Sequence, residues 1–358
     1  MKAPTTGITN TLTANRLPKW APVAAFAASL AVVWGAMTIL QATAGGEANL
    51  AVVVVVALVL FNVLLFVLSY LIEGARQARN RFVTSLVYTA FGLALLPLIS
   101  LVVTVVGDGT KRFDLQYFTE SMRNVVGEGG GALHAITGTL LITGLATLIS
   151  VPVGLLTSIY LVEYGRGALA RSITFFVDVM TGIPSIVAGL FAFAFFSLIL
   201  NDPGIRFGLG GSVALSLLMI PVVVRSSEEM LKIVPNELRE ASYALGVPKW
   251  LTILKVVLPT SIAGITTGIT LAIARVIGET APLLLIAGFA TSMNYDLFAE
   301  RMMTLPVFVY TQYANPGTEV QVYLDRAWAG ALTLVLIVMA LNLIARLIAK
   351  IFSPKFGR

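Results

Sequence analysis

Residues 51–68 read AVVVVVALVLFNVLLFVL, a run almost free of Gly, Pro and polar groups. A helix of about 20 apolar residues crosses the hydrocarbon of a bilayer, and runs of this kind recur along the chain. In lipid every backbone N–H and C=O must be satisfied within the spanning element, which leaves helices or closed barrels; runs this long select helices. Composition agrees. The 358 residues are 57% hydrophobic and 12% charged, with a mean hydropathy of +0.90, against about 25% charged in ordinary soluble domains. The expected fold is therefore an all-α polytopic membrane protein. The chain has no Cys, which excludes disulfides, thiolate chemistry and Cys-ligated metals. Its one histidine, His134, leaves little for zinc or acid–base chemistry.

Eight spans are expected, near 22–40, 50–72, 82–106, 134–162, 172–200, 213–224, 260–290 and 327–349. The sixth has a short apolar core and is expected to extend into the polar residues after it. With the N-terminus inside, the outside segments hold only Lys111, Arg112, Arg123, Arg206, Arg301 and Arg326. Arg275 lies within a span, and the other basic residues of the 24 lie inside. The positive-inside rule thus supports cytoplasmic termini, and it accounts for the net charge of +6 without nucleic acid. The first apolar run begins only near residue 21, and no clear small-residue cleavage site precedes a soluble domain. The N-terminus is expected to stay as an anchor.

The first two spans differ in texture from the rest. From residue 82 onward the spans carry internal Gly, Pro, Ser and Thr, as in ITGTLLITGLATLISVPVG (136–154). Small residues allow close helix approach, and Pro breaks helices where a cavity needs free backbone groups. Residues 1–81 are therefore read as an accessory helical hairpin and 82–358 as a six-span core. Of the two long outside loops, 107–133 contains VGEGGGAL, read as a flexible Gly-rich turn. The other, 291–326, contains MTLPVFVYTQYANPG, read as a short re-entrant or interfacial helix. The dipeptide Gly-Lys occurs nowhere, so the chain has no Walker A loop to burn ATP.

The longest inside segment holds PNELREASYALGVPKWLTILKVVLP (235–259). Asn236 suits an N-cap, and Glu237 and Glu240 suit the first turn. Leu238, Ala241, Ala244 and Leu245 share one face. Gly246 stands where a helix ends in the left-handed conformation, and Pro248 fits the first turn of a second helix. Trp250, Leu251, Leu254 and Val257 then follow at helical spacing. This helix–Gly–helix hairpin has apolar faces to bury, which makes it a docking element for another protein.

Inside the seventh span, Arg275 precedes Glu279 by four residues, placing both on one face of a continuous helix. A lone Arg in a span costs about 2.5–3.5 kcal/mol on insertion scales, so it should face protein or water. The two charges form either a self-contained structural pair or an oxyanion-attracting site, for which a guanidinium fork is well suited. His134 reads as an interfacial histidine at the outer face. Asp178, within the fifth span, reads as a helix–helix hydrogen-bonding group or an ion-coupling carboxylate. Glu228 and Glu229 read as solvated cytoplasmic residues. An ion-coupled secondary carrier would have no use for the docking hairpin. An intramembrane enzyme would need paired Asp, Ser–Lys or HExxH, and none is apparent.

The spacing of Glu240-Ala241-Ser242, Gly246, Val256 and Leu258-Pro259 resembles the EAA motif of ABC importer permeases, with Ser242 and Val256 as mild departures. TGIPSIVAGLFAF (181–193), ARVIGETAPLLLIAG (274–288) and MTLPVFVYTQYANP (303–316) narrow the likeness to the PstA-type subunit of bacterial phosphate-specific importers, over about residues 130–350. The resemblance implies a permease of the bacterial cytoplasmic membrane for inorganic phosphate or another oxyanion. It implies an ATPase-coupling role for Glu240, Ala241, Gly246, Pro248, Leu258 and Pro259. It places Arg275, Glu279, Thr280 and Ser185 along the substrate pathway. It implies a PstC-like partner permease, two PstB-like ATPases, a PstS-like phosphate-binding protein and a link to PhoU. ATP and Mg would be bound by the partner ATPase, with no cofactor or metal on this chain.

Overall fold

A computed structural model of the chain describes residues 16–44 and 50–352, all of whose regular elements are helices. They are α1 (Ala21–Ala44), α2 (Leu50–Glu73), α3 (Ala75–Gly109), α4 (Leu115–Thr119), α5 (Leu133–Ile159), α6 (Gly167–Thr181) and α7 (Ser185–Ile199), followed by α8 (Gly208–Ile233), α9 (Asn236–Ala244), α10 (Lys249–Thr252), α11 (Leu258–Val276), α12 (Ala281–Ile286), α13 (Leu305–Ala314) and α14 (Val320–Phe352). Among the described residues, seven helices are long and apolar enough to cross a membrane. The α6–α7 pair adds an eighth if it is counted as one span.

Two of the expected spans are broken. The one expected at 172–200 begins earlier and bends by 108° between α6 and α7. Pro184 disfavours helical backbone at Ile183, and Gly182 closes α6. The one expected at 260–290 ends at Val276 and restarts as α12. Pro282 removes the N–H that would bond the carbonyl of Gly278, and its ring would clash there. Hydropathy cannot register either break.

The chain divides into two compact units between Val102 and Val103, within α3, so most of the third span groups with α1 and α2. This differs from the expected boundary at 81/82. In the first unit, Val33 packs with Val53 and Ala57, and Phe26 meets Phe61 edge-on at 5.6 Å. Asn62, the polar exception in the run of α2, does not face lipid. It is buried, donating to the Thr89 hydroxyl (3.0 Å) and accepting from that of Ser85 (2.7 Å).

In the second unit α8 is central. Of its apolar window 61% is buried, against 6% for α3. Small residues set the spacing. Ser212 donates to the carbonyl of Ile142 (3.1 Å) and Ser216 to that of Ala146 (3.4 Å), joining α8 to α5. Gly268 of α11 lies against Ser226 of α8. The 107–133 segment is packed rather than loose: Tyr117 is fully buried, and Arg326 of α14, also buried, donates to the carbonyls of Gly127 (2.9 Å) and Gly129 (3.0 Å). The expected short helix at 303–316 is α13, tied to α5 by Leu305 N–H donating to the Thr139 hydroxyl at 2.7 Å.

A side chain added at Gly268 would bring its Cβ within 2.6 Å of Ser226 Cβ, whereas one at Gly144 meets nothing within 4 Å. Gly268→Leu should destabilise the α8–α11 contact by about 1–3 kcal/mol. Gly144→Leu should be neutral or stabilising by up to about 1 kcal/mol, through helix propensity. Thermal unfolding of the two variants in detergent checks the contrast.

Candidate functional site

The hairpin expected at 235–259 forms as α9, a turn and α10. Pro235 (φ −59°, ψ 140°) takes the N-cap position, so the cap lies one residue before Asn236, which is the first helical residue. The turn is a Schellman closure: Gly246 N–H donates to the Tyr243 carbonyl (2.9 Å) and Val247 N–H to that of Ser242 (3.2 Å). Gly246 carries φ +75°, the left-handed region expected of it. Pro248 is the N-cap of α10 rather than a residue of its first turn; its carbonyl accepts from Leu251 N–H (3.0 Å). The Ser242 and Thr252 hydroxyls meet at 2.8 Å, both buried, and bolt the arms together. Ser at this position therefore has a use that Ala would lack.

α10 does not stop at Thr252. A π-helical turn over Ile253–Val257 carries it into α11, making one helical run from Lys249 to Val276. Leu258 and Pro259 open α11 directly after that turn. Around the hairpin tip, Leu245 (83%), Trp250 and Leu254 are exposed, as are Glu240, Ala241, Gly246 and Pro248.

Two basic residues fasten the hairpin to the end of α5, which closes in a π turn at Tyr160–Tyr164. Arg239 donates to the Glu163 carboxylate (Nε 3.0 Å, Nη2 2.9 Å) and to the carbonyls of Val234 (2.6 Å) and Leu231 (2.9 Å). Lys249 donates to the Glu163 carbonyl and lies 4.8 Å from the Tyr164 ring centre. From sequence Arg239 and Lys249 counted only as inside charges, and Glu163, 76 residues from Arg239, gave no signal.

The intramembrane charges are arranged differently from the expectation. Arg275 is exposed in the last turn of α11, where a cation suits the helix dipole. Glu279 follows the helix end, its N–H bonded to the Val276 carbonyl (3.1 Å), so the two do not share a helical face. Among the described residues no ion pair or hydrogen bond joins their side chains. Thr280 is the N-cap of α12, without a side-chain cap bond. Ser185 is the first residue of α7, immediately after the bend. α7 and α12 pack where Gly189 meets Pro282, which brings the elements carrying Ser185 and Thr280 together.

Of three other expectations, the helix–helix bonding expected of Asp178 holds, and those for Glu228 and His134 change. Asp178 pairs with Arg225, which also holds Glu228 at 2.8 Å, while Lys232 reaches Glu228 at 2.6 Å. Glu228 is thus buried and paired, not solvated, whereas Glu229 is exposed. His134 is buried against Phe308 (5.8 Å, edge-on) rather than interfacial.

Residues 150–358 match the family described as binding-protein-dependent transport system inner membrane component. The phosphate transport system permease protein PstA 1 of Mycobacterium tuberculosis (strain ATCC 25618 / H37Rv) is 47% identical over 276 residues, covering 76% of this chain and 88% of that one. The PstA of Yersinia pestis is 39% identical over 277 residues, covering 77% and 92%. Among solved structures, the inward-facing MetNI methionine ABC transporter superposes with a TM-score of 0.48 at 21% identity, covering 63% of this chain and 95% of that one. The chain belongs to the binding-protein-dependent transport system inner membrane components and, within them, to the PstA-type permease proteins.

Proposed function

We propose that this chain is the PstA-type permease subunit of an ATP-driven importer of inorganic phosphate in the bacterial cytoplasmic membrane, with both termini cytoplasmic. Its companions are a PstC-like permease, two PstB-like ATPases that bind ATP and Mg, a PstS-like binding protein outside and a link to PhoU. Relatives that are phosphate permeases along most of their length support this reading. The observation that carries the mechanism is the single helical run from Lys249 to Val276. It is about 40 Å long at 1.5 Å per residue, with the docking hairpin at one end and Arg275 at the other.

In this mechanism the ATPase grips the exposed Leu245, Trp250 and Leu254, and its closure moves α9 and α10 as one bolted piece. Arg239 and Lys249 pass the displacement to α5 through Glu163, while α11 carries it to the broken segment at 277–280. There the Arg275 guanidinium attracts the passing oxyanion, and Glu279, Thr280 and Ser185 complete the pathway. An exposed guanidinium with no ion-pair partner among the described residues is free to meet an anion.

Gly246 tests the coupling. Space around it is open, so substitution acts only through the backbone, where a left-handed L-residue costs about 1–2 kcal/mol. Gly246→Val should insert normally but lose ATPase coupling, while Gly246→Asn, which tolerates this conformation, should keep most of it. Wild-type transport by Gly246→Val in an intact complex would overturn the docking role.

Arg275 tests the pathway. Its side chain is exposed and makes no hydrogen bond or ion pair among the described residues, so replacement should change stability by no more than about 0.5 kcal/mol. Arg275→Gln should abolish phosphate uptake into ATP-loaded vesicles, and Arg275→Lys, which keeps charge but loses the fork, should transport poorly. Both should assemble and bind the ATPase. Near-normal uptake by Arg275→Gln removes the pathway role, and uptake driven by an ion gradient without ATP would instead make the protein a secondary carrier.

A further inference from the structure

The N-terminal unit carries two adjoining cavities that the transport machinery does not use. The first, about 390 Å³, has a polar lining of Arg16, Glu73, Gln77, Asn80, Arg81 and Thr84. The second, about 640 Å³, is an apolar groove among α1, α2 and α3, lined by Phe26, Leu30, Leu58, Gly92, Leu93 and Leu96 among others. Pro22, Phe61 and Tyr88 line both, so the two adjoin, with the charged and amide side chains lining the first only.

The polar end is cationic. Its one carboxylate, Glu73, is consumed by the protein: it accepts from Arg81 (Nη2 2.7 Å), the Ser69 hydroxyl (2.7 Å) and Leu17 N–H (2.8 Å). That last bond pins the chain next to Arg16, which makes no ion pair among the described residues and leaves the cavity with one uncompensated positive charge. Side-chain donors from Gln77, Asn80 and Thr84 surround it. From Arg81 to Leu96 along α3 is about 22 Å, half of the 40–45 Å of a whole bilayer with its headgroups. The channel therefore has the depth of one leaflet. A small anion would use only its polar end, and a purely apolar helix would have no use for Arg16.

We infer that this unit binds one anionic phospholipid of the leaflet beside the inside loops. Its phosphate lies against Arg16 and the amides of Gln77 and Asn80, and an acyl chain lies along the groove past Tyr88 and Gly92. The site is built from residues of the first unit alone, so its test does not depend on what the permease carries.

Gly92 gives a variant that does not threaten folding: a Cβ there meets nothing within 4 Å, and Leu in a helix is better than Gly. The full importer complex is purified, stripped of lipid and incubated in turn with phosphatidylglycerol, phosphatidylcholine and inorganic phosphate. Retained ligand is read by native mass spectrometry. Wild type should hold phosphatidylglycerol in preference to phosphatidylcholine. Arg16→Gln should lower its retention about fivefold, equivalent to the roughly 1 kcal/mol of one basic residue at an anionic surface. Gly92→Leu should lower it at least as much, by filling the groove. Equal retention by wild type and both variants, or no preference for the anionic lipid, overturns the proposal. So does displacement of the lipid by inorganic phosphate, which would make the cavity an ion site.

Discussion

A chain in lipid must close its backbone hydrogen bonds within each helix, and the places where this one does otherwise organise the rest of the structure. Irregular backbone at membrane depth is tolerated only where protein or a cavity receives it. Among the described residues of the second unit, helical regularity is interrupted at the bend at 182–184, the break at 277–280 and the π turns at Tyr160–Tyr164 and Ile253–Val257. Each is satisfied locally. Gly182 and Ile183 N–H groups bond the Val179 and Met180 carbonyls (3.1 and 3.3 Å), Glu279 N–H bonds that of Val276, and Gly165 N–H bonds that of Tyr160. Ser185, Arg275, Glu279 and Thr280 all stand at or beside the two breaks. The two π turns flank the hairpin, one on the helix it is clamped to and one on the helix it becomes.

The clamp explains why the hairpin keeps its orientation without a large core of its own. Arg239 is 12% exposed and Glu163 4%, so neither charge is well served by water. Removing one partner from such a pair typically costs about 3–5 kcal/mol, because the other is left buried and unpaired. Arg239 also caps the end of α8 through the Val234 and Leu231 carbonyls, groups that a helix C-terminus leaves without partners. One side chain thus fixes α9 against α5 and α8 together. Hydrophobic contact does less here: Leu238 packs on the small cluster of Leu231, Val234, Val257 and Ile265.

What was legible in the sequence follows the range of the interaction. The hairpin at 235–259 and the left-handed Gly246 were readable because a Schellman turn is decided within a few residues. The Arg225–Glu228–Lys232 ladder has helical spacing and could have been read as pairing, whereas Asp178, 47 residues from Arg225, could not. The clamp from Glu163 to Arg239 leaves no local pattern at all. Helix breaks fail for another reason: ARVIGETAPLLLIAG is apolar apart from Arg275, Glu279 and Thr280, so its hydropathy reads on across the point where Pro282 acts on Gly278. Arg326 shows the limit of reading topology from charge. Expected as an outside cation, it is also the buried post around which the Gly-rich 127–129 turn is wrapped, a role its charge alone does not reveal.

The distribution of paired and unpaired charge separates structure from function. Arg81, Arg225, Lys232 and Arg239 each hold a carboxylate, and their partners Glu73, Glu228 and Glu163 are nearly enclosed. Those pairs are consumed in holding helices to one another and have no capacity left for a ligand. Arg275 and Arg16 are the contrast: each is exposed, neither has a carboxylate partner among the described residues, and each stands beside an interruption or opening in the helical packing. A guanidinium left uncompensated at the edge of a bilayer is tolerable only if water or an anion meets it. The same physical rule underlies both proposals, an anion in transit at Arg275 and an anion that stays with the protein at Arg16.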